Sequence, residues 1–178
     1  AQGIHPVIGC EVYVARRTRL DKTYELDAES RHLVLLCENE TGYRNLSYLV
    51  SQAFVDGFYI KPRIDLDLLR RHSEGLIGLS ACLAGEIPRR LVNGDYDGAK
   101  EYALTMQDIL GEGNFYLELQ DHGIPQQITV NRGLLRLHQE TGIPLVCTND
   151  AHYLRKEDAE SHDVLLCCLL YTSPSPRD

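Results

Sequence analysis

Five short apolar runs divide the chain, and each has the composition of a β-strand. The runs span residues 7–14, 32–37, 76–80, 115–119 and 144–148. Three of them are nearly continuous instead of alternating, which is typical of strands that are covered on both faces of a parallel sheet. The pattern therefore predicts five strands in the interior of the fold.

Apolar residues between these runs recur with the 3.6-residue period of helices. Thr41 is the expected N-cap of the first helix, and Gly142 is expected to end the third. Because strands alternate with helices, the sequence predicts an α/β fold with a parallel sheet, and the irregular spacing favours a decorated barrel. The predicted helices span about residues 41–57, 95–111, 125–142 and 156–170, with an extra helical hairpin at residues 65–72.

Composition places further limits on function. The 178 residues carry 26 acidic and 18 basic side chains, and the net charge of −8 argues against a large basic surface for nucleic acid. No apolar run approaches the ~18–20 residues that cross a bilayer, so no membrane association is expected. The six cysteines are dispersed and form no CxxC pair, which indicates a reducing compartment and favours the cytoplasm.

The segment TNDAHY, directly after the last apolar run, is the strongest candidate for chemistry. Asp150 and His152 are two residues apart, so on an extended backbone their side chains point the same way. A carboxylate oxygen and an imidazole nitrogen are then offered together to one divalent ion. The alternative is a turn at the end of the strand that is capped by Asp150, with His152 exposed.

Three other strands also carry residues that could bind a metal ion. Glu11 interrupts an apolar run, and a buried carboxylate there needs a metal ion, a base or a water cluster beside it, unless this strand faces solvent. His32 begins the next run and is either a structural histidine or a ligand. Cys82 follows the third run, where the alternatives are a soft zinc ligand and a small buried thiol.

Three further residues are candidates for the rim of such a site or for a substrate contact. His122 closes the fourth run and either points toward the same edge or belongs to an ordinary loop. Lys61 and Arg63 flank a proline in an extended segment, where two cations could meet a phosphate. The glycine-rich dinucleotide motif, the P-loop motif and the GxSxG motif do not occur, so those three classes of site lack their signatures.

Six segments in order carry a family resemblance over about residues 3–167: IGCEVYV, HLVLLCENETGYRNL, FYIKPRID, EGLIGLSACLAGEIPRRL, FYLELQDHGIP and IPLVCTNDAHYL. They closely resemble the PHP (polymerase and histidinol phosphatase) domain of bacterial replicative DNA polymerase III alpha subunits. The segments GYRNL, KPRID and TNDAHY are typical of the polymerase branch of this family.

The resemblance implies a fold and a ligand set. The implied fold is a distorted (β/α)7 barrel whose strand ends hold up to three ions of zinc or manganese. The assignment of His32 as a ligand depends on the resemblance alone, and His122 matches a rim position. The residues that match metal-ligand positions of the family are Glu11, His32, Cys82, Asp150 and His152.

The family pattern also contains elements that this sequence lacks. An N-terminal His-x-His motif, the Asp and His that follow it, and the polymerase palm are not present. We therefore expect an incomplete barrel without its first strands, with a partial PHP domain at residues 1–168 and a disordered or non-native tail at 169–178. Weak metal affinity and no nuclease activity are expected of this chain alone.

The implied function of the full-length subunit is template-directed DNA synthesis by a DNA-directed DNA polymerase, a nucleotidyltransferase with Mg²⁺ at a polymerase site outside this chain. The PHP domain would add metal-assisted phosphoester hydrolysis, as a 3′–5′ proofreading exonuclease or a pyrophosphatase. The implied partners are DNA, through the rest of the subunit, and the sliding clamp, the clamp loader and the proofreading exonuclease subunit.

Two other functions stay open. One is a stand-alone metal-dependent phosphoesterase for a small phosphorylated metabolite, although the segments KPRID and GYRNL argue against it. The other is a non-catalytic scaffold on which a separate proofreading subunit docks.

Overall fold

The computed structural model describes residues 3–170, with side chains described as far as Cys167. From residue 171 onward, the predicted disordered or non-native tail lies outside the described residues. The chain divides into two compact units, Ala1–Thr148 and Asn149–Asp178, and each is described by itself. In the described part of the chain, no helix combines the length and the apolar character that a membrane crossing requires.

The first unit is built on an open sheet of seven strands in the order β3-β4-β1-β2-β5-β6-β7. All five predicted strands are present, and the short strands β3 and β4 are additional. An unclosed sheet flanked by helices agrees with the predicted incomplete PHP-type barrel. The strands are β1 (Gly9–Ala15), β2 (Ser30–Cys37), β3 (Phe58–Tyr59), β4 (Lys61–Ile64), β5 (Leu76–Leu79), β6 (Phe115–Leu119) and β7 (Leu145–Cys147).

The sheet is mixed, so the prediction of a parallel sheet is wrong for three of its strand pairs, one of which joins the short strands β3 and β4. Strand β2 runs antiparallel to both β1 and β5, whereas the β1–β4, β5–β6 and β6–β7 pairs are parallel. A parallel pair needs a crossover connection, usually a helix that returns the chain to the starting edge. The connection between β1 and β2 contains only the four-residue helix α1 (Tyr24–Asp27), and it turns the chain back at the same edge.

Most of the remaining helices follow the predicted pattern. In order they are α2 (Glu40–Val55), α3 (Leu66–Arg71), α4 (Glu86–Val92), α5 (Tyr96–Leu110) and α6 (Pro125–Thr141) in the first unit, and a 3₁₀ turn (Lys156–Asp158) with α7 (Ala159–Leu170) in the second. Gly142 ends α6 in the left-handed conformation, as expected, because a residue without a Cβ adopts it at little cost.

Three local predictions about helices need correction. Helix α2 is capped by Asn39 instead of Thr41, since the Asn39 side chain accepts a hydrogen bond from the Gly42 amide at 3.1 Å. The expected hairpin at residues 65–72 is the single helix α3, capped by Asp65. Helix α4 was not predicted, because its seven residues are too short for a clear helical period.

Successive side chains of β1 and β2 point alternately to the two faces of the sheet. Val12, Val14, Leu33 and Leu35 are buried in the hydrophobic core. Apart from Ala15 at the end of β1, the side chains on the opposite face of the same two strands are at least partly exposed. The alternation therefore separates a packed face from an accessible one, and Glu11 lies on the accessible face.

The buried side chain of Arg63 ties the β1–β2 connection to the sheet. Its guanidinium donates hydrogen bonds of 2.9–3.1 Å to the carbonyl oxygens of Gly57, Asp27, Arg19 and Asp21. Arg63 is fully buried, so it cannot reach a phosphate, and its predicted substrate contact is corrected to a structural role. The sequence gives no sign that Arg63 is buried, because three of its four carbonyl partners lie more than 30 residues away along the chain.

The same connection contains an ion pair between the buried Asp27 carboxylate and the partly exposed Arg17 guanidinium. The Asp27 carboxylate accepts hydrogen bonds from the Arg17 guanidinium and from the Thr23 amide. These contacts, chiefly the one with Arg17, lower the pKa of Asp27 to about 2. The connection is therefore held closed by a paired carboxylate as well as by Arg63.

We expect Arg63→Met to lower the free energy of unfolding by roughly 3 kcal/mol, because several buried carbonyls lose their donor. Arg44→Met is the matched control: its side chain is 76% exposed and forms a surface ion pair with Glu40, so the expected change is within about 0.5 kcal/mol. Urea denaturation measures both values. Equal effects of the two substitutions would contradict the structural role of Arg63.

Candidate metal centre

The pairing of β1 with β2 brings the first two candidate ligands together. His32 lies directly opposite Tyr13 in the antiparallel register, and Glu11 lies two residues before Tyr13 on the same face. Diagonal neighbours of this kind are within reach of long side chains. In the structure the Glu11 Oε1 atom lies 3.1 Å from the His32 Nδ1 atom.

A tight loop after β5 supplies the third candidate, Cys82. The Gly85 amide donates to the Cys82 carbonyl at 2.8 Å, and the His32 amide donates to the Ala84 carbonyl at 3.2 Å. A Cβ on Gly85 would lie 2.2 Å from the Ser80 carbonyl oxygen, so only glycine fits this turn. The loop is therefore attached to β2 at His32 itself.

Glu11, His32 and Cys82 form a compact donor cluster. The Cys82 Sγ atom lies 3.7 Å from His32 Nδ1, and one ligand atom from each of the three residues lies within 4.8 Å of the others. The side chains of His32 and Glu11 are 26% and 40% exposed, so an ion from solvent can reach them. A carboxylate, an imidazole and a thiol at these distances are a donor set suited to one divalent metal ion.

The contacts within the cluster shift the titration of His32. The hydrogen bond with Cys82, then that with Glu11, raises the pKa of His32 to about 9 against an opposing effect of burial. In the metal-free chain the imidazole therefore carries a proton at neutral pH. A metal ion must displace that proton in order to bind, so metal affinity is expected to rise with pH.

The buried carboxylate of Glu118 supports the Cys82 loop from β6. One of its oxygens accepts a hydrogen bond from the Ala81 amide at 2.6 Å, and the other accepts from the Thr148 hydroxyl at 2.6 Å. The Glu118 amide donates to the Ser80 hydroxyl at 2.8 Å. The loop that carries Cys82 is thus joined to both β6 and the end of β7.

Asp150 and His152 lie in the second unit. The Nδ1 atom of His152 is 2.8 Å from the Asp150 carbonyl oxygen, a contact that fixes the orientation of the ring. Asp150 has a φ of 47°, a strained conformation for a residue other than glycine. The ring of His162 contacts those of His152 and Tyr153, with centroids 5.8 and 5.4 Å apart.

The two remaining rim candidates have defined environments. The His122 amide donates to Gln127 Oε1 at 2.8 Å, which places the Gln127 Nε2 group 2.8 Å from His122 Nδ1. The Lys61 ammonium lies 5.2 Å from the centre of the Tyr13 ring, and that ring contacts His32 edge-on at 5.2 Å. Lys61 is therefore connected to the cluster through Tyr13.

Glu118 was missed by the sequence reasoning, although a signal for it existed. In FYLEL a carboxylate interrupts an apolar strand, which is the same pattern that singled out Glu11. Glu118 is 5% exposed, so it is the more deeply buried of the two. Ser80 and Thr148, by contrast, are residue types that are common at strand ends. Nothing in the sequence around them indicates their hydrogen bonds to Glu118.

Comparisons with known proteins agree with this architecture. Residues 1–122 match the PHP domain family, and the chain belongs to that family. It is 46% identical over 168 residues to the DNA polymerase III subunit alpha of Treponema pallidum, covering 94% of this chain and 14% of the relative. The same-named proteins of Borreliella burgdorferi and Thermus aquaticus are each 45% identical over 93% of this chain. The chain spans 14% of the length of each of these relatives.

We expect the His32 imidazole of the metal-free chain to titrate near pH 9, as measured by NMR. Glu11→Gln should move this value down toward the ordinary 6.5, whereas Glu40→Gln, at a carboxylate that pairs with Arg44 instead, should not. Because the folded-state pKa is raised, the stabilisation from His32 is complete below pH 6.5 and is lost as pH rises through about 9. An unchanged His32 titration in Glu11→Gln would contradict the observed contact.

Proposed function

We propose that this chain is the PHP portion of a replicative DNA polymerase III alpha subunit and that Glu11, His32 and Cys82 bind a zinc ion in it. The observation that carries the metal proposal is the convergence of three ligand types within 4.8 Å on the accessible face of the sheet. The similarity to named alpha subunits over 93–94% of the chain supports the polymerase assignment.

The chemistry of the donors favours zinc over manganese. Zinc accepts cysteine sulfur, histidine nitrogen and carboxylate oxygen in tetrahedral sites, whereas manganese prefers oxygen ligands. Three protein ligands leave a fourth position, which is the arrangement of catalytic zinc sites. The exposed side chain of Glu11 and the partly exposed side chain of His32 are consistent with such an open position.

We also propose Asp150 and His152 as metal ligands. The hydrogen bond from the His152 ring to the Asp150 carbonyl is the type of contact that fixes the tautomer of a metal-binding histidine. The strained φ of Asp150 supports a functional role, since such conformations cluster at active sites and ligand-binding positions.

The reaction that this donor set fits best is phosphoester hydrolysis, as in a 3′–5′ exonuclease or a pyrophosphatase. A bound zinc ion would supply Lewis-acid polarisation and an activated water. The Gln127 carboxamide donates to His122 Nδ1 and so orients the imidazole, which would contact a phosphate oxygen by a hydrogen bond. Lys61 would attract the phosphate by its charge.

The remaining roles concern the whole protein. We propose that it carries out template-directed DNA synthesis with Mg²⁺ at a polymerase site outside this chain, in the cytoplasm. DNA, the sliding clamp, the clamp loader and a proofreading exonuclease subunit are its proposed partners. The two alternatives, a stand-alone phosphoesterase and a non-catalytic docking scaffold, predict respectively turnover of small phosphate esters and no metal-dependent hydrolysis.

Zinc should stabilise the chain, and Cys82→Ser should reduce that effect. Zinc at a hundredfold excess over its Kd contributes about 2.7 kcal/mol, which raises the thermal midpoint of a domain of this size by about 5–10 °C. Cys82→Ser should lose most of the shift, and Cys37→Ser, the matched control outside the cluster, should keep it. The combined substitution Asp150→Asn with His152→Ala should lower the number of zinc ions bound.

Each component of the proposal can fail separately in this experiment. An equal zinc response in Cys82→Ser and Cys37→Ser would contradict the assignment of Cys82. An unchanged zinc content in the Asp150 and His152 variant would show that those residues are not ligands. No zinc response in the unmodified chain would remove the metal proposal altogether.

A further inference from the structure

We propose that Glu118 is a positioning residue for the metal centre, because its carboxylate holds the Ala81–Cys82 segment in the conformation that directs the Cys82 thiol to His32. The inference rests on the proposed function, in which Cys82 is a zinc ligand. Glu118 lies in β6 and is not one of the candidate ligands.

The first step of the argument is the backbone of Ala81. Ala81 has a φ of 62°, in the left-handed region, where the Cβ of any residue other than glycine is crowded. A conformation of this kind persists only when the surroundings impose it. The contact that can impose it is the 2.6 Å hydrogen bond from the Ala81 amide to Glu118 Oε2, which is strong because the acceptor is charged.

The second step leads from Ala81 to the thiol. Cys82 is the next residue, and its carbonyl accepts a hydrogen bond from the Gly85 amide, which closes the loop. With both ends of this short segment held, the Cys82 Sγ atom lies 3.7 Å from His32 Nδ1. Release of the Ala81 amide would allow the segment to leave the left-handed conformation and would turn the thiol away from His32.

The third step concerns the charge of Glu118. It is 5% exposed, and over residues 3–170 it forms no ion pair with a lysine, arginine or histidine. A buried carboxylate without a cation is costly, so a neutral side chain would serve a purely structural role at lower cost. Glu118 and Cys82 also line the same small cavity of about 10 Å³. A carboxylate at this position therefore places a negative charge in the cavity that Cys82 also lines.

The fourth step explains how Glu118 itself is held. Gln120 donates to the Thr148 hydroxyl at 3.2 Å, so the hydroxyl hydrogen is directed to Glu118 Oε1 at 2.6 Å. The Glu118 backbone is fixed by the bond from its amide to Ser80. Both carboxylate oxygens therefore have a defined donor, and the side chain is preorganised before any metal binds.

Cobalt(II) titration of the full chain tests the inference, because a cysteine thiolate bound to cobalt gives a charge-transfer absorption band that reports the Cys82 contact directly. Glu118→Gln keeps the shape of the side chain but replaces one acceptor oxygen with a donor. We expect it to weaken cobalt binding roughly 10- to 100-fold, as is typical for residues that support metal ligands, and to diminish the band.

Ala81→Gly provides both the control and the rescue. Glycine adopts a φ of 62° without a Cβ penalty, so the single variant should keep the affinity and the band of the unmodified chain. In the double variant with Glu118→Gln, the glycine should restore most of the band. The thermal midpoint of each metal-free variant is measured in parallel, and a positioning role predicts that the loss of the band exceeds any loss of stability.

The outcomes separate the inference from the proposed function. No charge-transfer band in the unmodified chain would contradict the proposed zinc site itself. A normal band and affinity in Glu118→Gln would contradict the positioning role while leaving the zinc site intact. A Glu118→Gln chain that unfolds or loses the band, and that Ala81→Gly does not rescue, would also contradict it, because Glu118 would then be a general structural residue.

Discussion

The register between β1 and β2 is the constraint on which the candidate metal centre depends. Because side chains alternate along a strand, a slip of one residue would move Glu11 to the opposite face from His32. The observed register, with Tyr13 opposite His32, places the carboxylate and the imidazole on the accessible face. It also places Val12 and Val14 in the core, so burial of the core and assembly of the cluster select the same register.

Two buried charged side chains hold the segments next to this strand pair. One segment is the connection between β1 and β2, and the other is the loop that carries Cys82. Arg63 binds four carbonyls from β1–β2 and neighbouring connections, and so fixes the return of the chain that makes the pair antiparallel. Glu118 holds the loop that carries Cys82. In both cases a charge inside the fold orients backbone groups that come from distant positions in the sequence, which links the folding of the first unit to the geometry of its site.

The sequence predicts the features that depend on neighbouring residues, and it does not predict those that depend on residues far apart along the chain. Helices α2, α5 and α6 were predictable because their apolar period and their end residues are local signals, although the cap of α2 lies at Asn39. The antiparallel direction of β2 was not predictable, because it depends on the β1–β2 connection, which Arg63 holds in place. Glu11 was recognised as a carboxylate in need of a partner, but only the structure identifies that partner as His32.

The most direct test of the central claim is X-ray absorption at the zinc edge of the zinc-loaded chain. Coordination by Glu11, His32 and Cys82 predicts one sulfur neighbour at about 2.3 Å together with nitrogen and oxygen neighbours at about 2.0–2.2 Å. The sulfur contribution should disappear when Cys82 is replaced by serine. A shell of nitrogen and oxygen alone around zinc in the unmodified chain would contradict the account.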